Sequence, residues 1–184
     1  MKAKYLAFVL GALLMAGCED RTFEYVATAS PSLDYTVDQE GAFDETYTVF
    51  ANSFNDELDL PDDAIIGDVF IESLSVGIKE LSGNEATAVK LTGSAGGVNF
   101  VEDLVVDVET GDYDFTVMAG LLEAGIRKIR DDLKGIVESG NPPSIVFRLQ
   151  GDSDPVAGQR LNVDVRVNMT VTVLYAIETE FPAL

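Results

Sequence analysis

From Leu161 to Ile177 every odd position is apolar: Leu161, Val163, Val165, Val167, Met169, Val171, Val173, Tyr175 and Ile177. The even positions hold Asn162, Asp164, Arg166, Asn168, Thr170 and Thr172 before they turn apolar at Leu174 and Ala176. A period of two places all the odd side chains on one face of an extended chain. Sliding the strand by a single residue would bury the polar set instead, so the register is strongly specified. The stretch reads as one strand well beyond the usual length, or as two that continue across a bend. Its edge or central position is not readable from the pattern; at a sheet edge it would invite pairing between molecules.

Shorter alternating segments precede it. "FDETYTVFA" starts at Phe43. "DVFIESLSVGIKEL" sets Phe70, Leu74, Val76 and Ile78 on one side. "ATAVKLTG", "FVEDLVVDVE" and "SIVFRL" follow, and glycine-rich or polar turns such as "GSAGG" (93–97) and "QGDSDPVAGQ" separate them. Residues 55–63, "NDELDLPDD", read as an acidic loop broken at Pro61. One segment has the other period. Between 118 and 138, Leu122, Ile126, Ile129, Leu133 and Ile136 recur at three and four, with Arg127, Lys128, Arg130 and Lys134 on the opposite face. These elements predict a mainly β domain, β-sandwich-like and antiparallel, with one amphipathic helix over about 118–138; the alternative is an α+β arrangement. The basic residues of the helix read as a docking stripe or as a solvated face with compensating charge.

Composition excludes several chemistries. The 184 residues include no histidine, no tryptophan and one cysteine. Without histidine there is no Ser-His-Asp or Cys-His arrangement, and the commonest transition-metal ligand is missing. A net charge of −20 repels nucleic acid phosphates, so no nucleic-acid partner is expected. The abundant carboxylates do not single out a glycosidase-like pair, and no enzymatic activity is expected. Calcium is the one metal that the acidic clusters suggest, with Asp56, Asp59, Asp107 and Asp112 as the candidate ligands; no other cofactor is expected. A third cluster, Asp152 and Asp154, lies in "GDSD". None has the helix-loop-helix calcium spacing.

The amino-terminal residues carry the most specific signal. Lys2 and Lys4 precede an apolar stretch from Leu6 to Met15, then Ala16, Gly17 and the lone Cys18. That stretch has the length of a secretory h-region and is too short to span a bilayer. "LLMAGC" resembles the lipobox of bacterial lipoproteins, an aliphatic residue, two small ones and a cysteine, with Met15 where the family most often has leucine. The resemblance covers about the first eighteen residues and implies cleavage before Cys18, acylation of its thiol with fatty chains such as palmitate, and a location in the bacterial cell envelope, at the outer membrane or cell surface rather than the inner membrane. It makes Cys18 the lipidation site and the membrane the first partner, with Glu19 and Asp20 resembling acidic sorting positions. The expected organisation is then a signal peptide over 1–17, an acylated anchor and tether over 18–40, and a single β-rich domain over 41–184. Removal of residues 1–17 takes Lys2 and Lys4 with it and leaves ten basic against 32 acidic residues, a net charge of −22.

The functional expectation is therefore a membrane-anchored, non-catalytic binding or structural module with an envelope or extracellular protein partner. The alternative is a carrier of an apolar ligand held between the helix and the long carboxy-terminal strand.

Overall fold

The computed structural model describes residues 20–180. Nine strands and two helices follow one another as β1 (Asp20–Ala29), β2 (Ser32–Glu40), β3 (Phe43–Phe50), α1 (Ala51–Leu58), β4 (Ile65–Glu80), β5 (Ala88–Ala95), β6 (Val98–Glu109), β7 (Thr116–Val117), α2 (Glu123–Ser139), β8 (Ser144–Asp154) and β9 (Arg160–Glu180). The fold is mainly β, as the alternating segments predict.

The long alternation is one 21-residue strand, β9, and it lies in the middle of the sheet. On one side β4 pairs with it antiparallel from Ile65↔Ala176 to Glu80↔Val163. On the other side β2 covers residues 160–168 and β1 covers 171–180, end to end. Ser30 and Pro31 separate those two strands. Proline has no N–H to give a ladder, but the Pro31 carbonyl still accepts the Met169 amide at 3.1 Å. An edge position for β9, with pairing between molecules through it, is thus excluded: both its ladders are filled within the chain.

The stretch expected to be a polar tether is instead strand from Asp20 onward. Its alternation is legible on one side only: Leu33, Tyr35 and Val37 are buried, whereas Asp34, Thr36 and Asp38 face outward. Polar residues on the outward face of a half-buried strand lower the mean hydropathy of the segment without weakening its pairing.

A second antiparallel group runs β3-β8-β5-β6. It joins the first through a short parallel contact, Ile78↔Val108 and Lys79↔Glu109, between the ends of β4 and β6. The architecture is accordingly one curled mixed sheet rather than two separate antiparallel layers. Gly96 and Gly97, both at positive φ, make the two-residue turn between β5 and β6 that a tight hairpin requires.

The inner faces of both groups and both helices share one core. Seven consecutive odd residues of β9, Leu161 to Val173, are fully buried. Helix α2 starts at Glu123, five residues after the expected boundary near 118. Leu122 at its N-cap is extended and donates its amide to the Phe100 carbonyl at 2.8 Å, which pins the helix start to β6. Met118, ahead of it, is buried with its amide on the Leu74 carbonyl. The helix ends at Gly140, a left-handed cap.

Helix α1 was not expected. The sequence reading continues the β3 strand through Ala51 and begins an acidic loop at Asn55. The chain turns helical at Ala51 and buries Ala51, Phe54 and Leu58, then closes at Asp59 in the left-handed region (φ 48°). Eight residues with three apolar positions are too short for their period to stand out from loop composition.

The helix and sheet approach closely at Gly125. A Cβ there would lie 2.2 Å from the Asn99 carbonyl oxygen and 2.4 Å from the Phe100 Cα, both backbone atoms that cannot swing aside. Gly125→Ala is expected to cost about 1–3 kcal/mol by forcing α2 off β6. Urea unfolding followed by far-UV circular dichroism would show it as a lower midpoint at unchanged slope, and a midpoint equal to that of the parent would refute the contact.

Candidate functional site

Cys18, the candidate lipidation residue, lies outside the described residues. Two residues on, β1 begins at Asp20 in register with the end of β9 (Asp20↔Glu180).

The four calcium candidates are not brought together. Asp56 is exposed on α1 and Asp59 forms its left-handed cap. Asp107 is exposed on β6 opposite Ala88 of β5, and Asp112 lies in the loop after β6. Among the described residues no group of three or more carboxylates is placed to hold a metal ion. The third acidic cluster has a local task. Asp152 Oδ1 accepts from the amides of Ser153 (2.8 Å) and Gly158 (3.1 Å) and from the Ser153 hydroxyl, which itself donates to the Val156 carbonyl. These bonds tie off the β8–β9 connection. The Gly158 amide first, and then those of Ser153, hold the Asp152 carboxyl below its ordinary range.

The basic face of α2 is compensated within the helix. Arg127 pairs with Glu123, Lys128 with Asp132 at 2.5 Å, and Arg130 with Asp131 at 3.0 Å. Lys134 reaches Glu138 at 3.8 Å and donates to the Gly67 carbonyl of β4 at 2.8 Å. A cation already engaged by a carboxylate of the same helix offers little field to an acidic partner. Of the two readings of this face, the geometry supports the compensated one.

The underside of the helix is buried against the sheet. Ile129, Leu133 and Ile136 are fully buried, and the helix packs chiefly on β4 and β6 rather than on β9.

Two surface features escaped the sequence reading. The first is an ion-pair and ring cluster on the outer face of the sheet. Arg166 of β9 donates from Nε to Asp34 of β2 and lies 4.9 Å from the centre of the Tyr113 ring, which stacks on Phe115 at 5.6 Å. The rings rest on Gly77 of β4, where a Cβ would come within about 3.1–3.2 Å of both. Burial of the ring, and then the Asp164 carboxylate, push the Tyr113 hydroxyl up. The cluster fastens the loop after β6 to the sheet. Its members are some 80 and 130 residues apart, so only the cross-strand register assembles it.

The second is a shallow groove of about 440 Å³ at the opposite end of the sheet, where Val26, Ile65, Gly67, Leu174 and Ala176 are joined by Glu24, Asp68 and the rings of Tyr25 and Tyr175. Here the even positions of β9 turn apolar.

The chain matches no family model and no curated protein. Among solved structures it is similar to the decameric BFDV capsid protein, at 8% identity and a TM-score of 0.35, over 85% of this chain and 99% of that one. It is also similar to the structure of infectious bursal disease virus Gx strain, at 11% identity and a TM-score of 0.29, over 90% and 39% respectively. A 60-mer form of the BFDV capsid protein gives 10% identity and a TM-score of 0.28, over 89% and 96%. Likenesses this distant carry no argument about what the chain does.

The Asp152 bonds yield a pH dependence with a defined sign. A carboxyl whose folded pKa is depressed stabilises the fold fully above its unfolded value, about 4, and loses that contribution as the pH falls through the folded value. Asp152→Ala should lower the Tm by about 2–4 °C at neutral pH, the size of a lost capping interaction. The gap from the parent should narrow below pH 4. A gap that stays constant or widens on acidification would contradict this account.

Proposed function

We propose that the chain is a bacterial envelope lipoprotein: cleaved before Cys18, acylated there, and carrying a folded β-rich domain that serves as a non-catalytic binding or structural module. The observation that supports this reading is the "LLMAGC" motif, in register with the Lys2/Lys4 region and the apolar stretch, ahead of a domain whose first strand begins at Asp20. Each buried methylene of an acyl chain contributes about 0.8 kcal/mol, so two or three chains hold a protein on a membrane essentially permanently. The domain then faces outward with an acidic surface. Its partner is an envelope or extracellular protein, and its place is the outer membrane or cell surface.

The chemistry of the chain agrees with a binding role. Cys18 is its single thiol and there is no histidine, so the groups available for covalent or general-base catalysis are few. The outward-facing polar ladder of β2, β9 and β4 offers Asp34, Asn168, Thr170 and Ser75, side chains suited to a wet, hydrogen-bonded interface.

The test is mass spectrometry of the full-length protein, extracted gently from its own host membrane and measured first native, then denatured. The denatured mass is expected to equal that of residues 18–184 plus the acyl chains, and Cys18→Ser is expected to leave the uncleaved precursor without acyl chains. A protein cut elsewhere with a free Cys18 thiol would overturn the reading. In the native spectrum, a bound protein partner supports the module, whereas retained lipid beyond the covalent chains would favour the carrier.

A further inference from the structure

We infer that the outer face of the sheet at the end nearest Cys18, centred on Val26, Ile65, Phe70 and Leu174, is a contact surface for the lipid headgroup layer, and that the anchored domain lies with this end of the sheet against the membrane. The inference rests on the acylation of Cys18 proposed above.

The first support is chain length. Asp20 is two residues from Cys18, and consecutive Cα atoms are 3.8 Å apart, so the first residue of β1 lies within about 8 Å of the anchoring residue whatever the chain does between them. The headgroup layer on each side of a bilayer is itself about 6 Å thick. The start of β1 is therefore held at the lipid surface and has no long tether to lift it away. Val26, eight residues from Cys18, is confined to within about 30 Å of it by the same reasoning.

The second support is the change in character of the outer face along β9. From Asn162 to Thr172 the outward side chains are polar, and the neighbouring strands match them with Asp34, Thr36, Asp38 and Lys79. At Leu174 the pattern turns apolar. Leu174 is in register with Val26 of β1, Ala176 is in register with Ile65 of β4, and Phe70 follows opposite Thr172. Val26 is 62% exposed, Ile65 49%, Phe70 41% and Leu174 39%, which is unusual clustering for outward-facing apolar residues on an otherwise charged face. The patch coincides with the end that the anchor restrains.

The third support is that α2 lies on the inner side of β4 near this end, where Lys134 reaches the Gly67 carbonyl, so the helix does not cover the outer patch. The carboxylates around the patch, Glu24, Asp68 and Glu178, select the kind of surface: they are repelled by anionic headgroups, so the contact suits zwitterionic lipid.

Because the chain has no tryptophan, one introduced indole reports on one place. The acylated full-length variants Val26→Trp and Val156→Trp are reconstituted into phosphatidylcholine vesicles brominated near the headgroups. Val156 is equally exposed but sits in the β8–β9 connection, at the far end of β9. The Val26→Trp emission is expected to shift to the blue and to fall to about half or less, because an interfacial indole lies within reach of the bromines, while Val156→Trp stays bright. Partial replacement by phosphatidylglycerol is expected to restore part of the Val26→Trp signal. Ile65→Trp repeats the measurement should Val26→Trp fold poorly.

If Val26→Trp is as bright as Val156→Trp in a sample whose mass shows Cys18 acylated, the patch is not on lipid and the inference falls while the anchored reading stands. A patch covered by a second copy or by a protein partner would give that same result. If the mass shows no acylation, the anchored reading fails and takes the inference with it.

Discussion

Backbone pairing along β9 is the interaction on which the rest of this fold depends. A strand of 21 residues with β4 on one side and β1 and β2 on the other supplies both ladders of the larger half of the sheet. Each of those neighbours inherits its register from β9, because a slip of one residue would turn seven fully buried side chains out into water. At about 1.5–3 kcal/mol for each buried aliphatic side chain, exposing all seven would cost about as much as the whole net stability of a typical domain or more. The register is accordingly the least negotiable feature of the molecule. Contacts far apart in sequence follow from it, including the Arg166–Asp34 pair and the seat of Tyr113 on Gly77.

What the strand does not determine is set by close approach. Helix α2 is held by a backbone-to-backbone contact at Gly125, by the Leu122 amide on Phe100 and by three fully buried aliphatic residues. Gly93 plays a similar part within the sheet, since a Cβ there would sit 2.5 Å from the Phe100 ring. Both glycines bring the elements they join close to the aromatic pair Phe100 and Phe147, whose rings meet edge to face at 6.3 Å. The core is thus built around two missing side chains as much as around the large ones present.

These two kinds of constraint explain which features were legible in the sequence. The β9 alternation, the β5–β6 turn, the helix with its Gly140 stop and the mainly β class are all local patterns, and a period of two or of three and four shows itself within a single segment. Helix α1 was hidden because eight residues hold only two turns, and its acidic residues, Asp56 and Glu57, imitate a loop. Strands β1 and β2 were hidden by their outward residues, Glu24, Asp34 and Asp38, whose polarity masks the buried alternation of Leu33, Tyr35 and Val37. The central place of β9 was illegible in principle, since a strand's own pattern describes its faces and says nothing of its edges. The same limit applies to the candidate sites. Acidic residues close in sequence, such as Asp56 and Asp59, suggested a shared ion that the fold does not assemble, whereas the ring cluster on Gly77 draws its members from four separate segments.

The end of β9 shows how a single strand can answer to more than one environment. Odd residues stay apolar from Leu161 to Ile177, buried in the interior as far as Val173 and half-buried at Tyr175 and Ile177. The even residues report on whatever lies outside; they turn apolar at Leu174 and Ala176 and acidic again at Glu178 and Glu180, where the strand ends. Nothing in the pairing demands that change: Thr170 and Thr172, the positions just before it, satisfy the same ladders with polar side chains. A chain with 32 acidic residues also has no shortage of polar side chains for an outer face. If the patch meets the headgroup layer as inferred above, the apolar turn in the pattern belongs to the surroundings of that end of the sheet rather than to the sheet itself. On the anchored reading those surroundings are lipid, and the outer face of β9 changes solvent along its length.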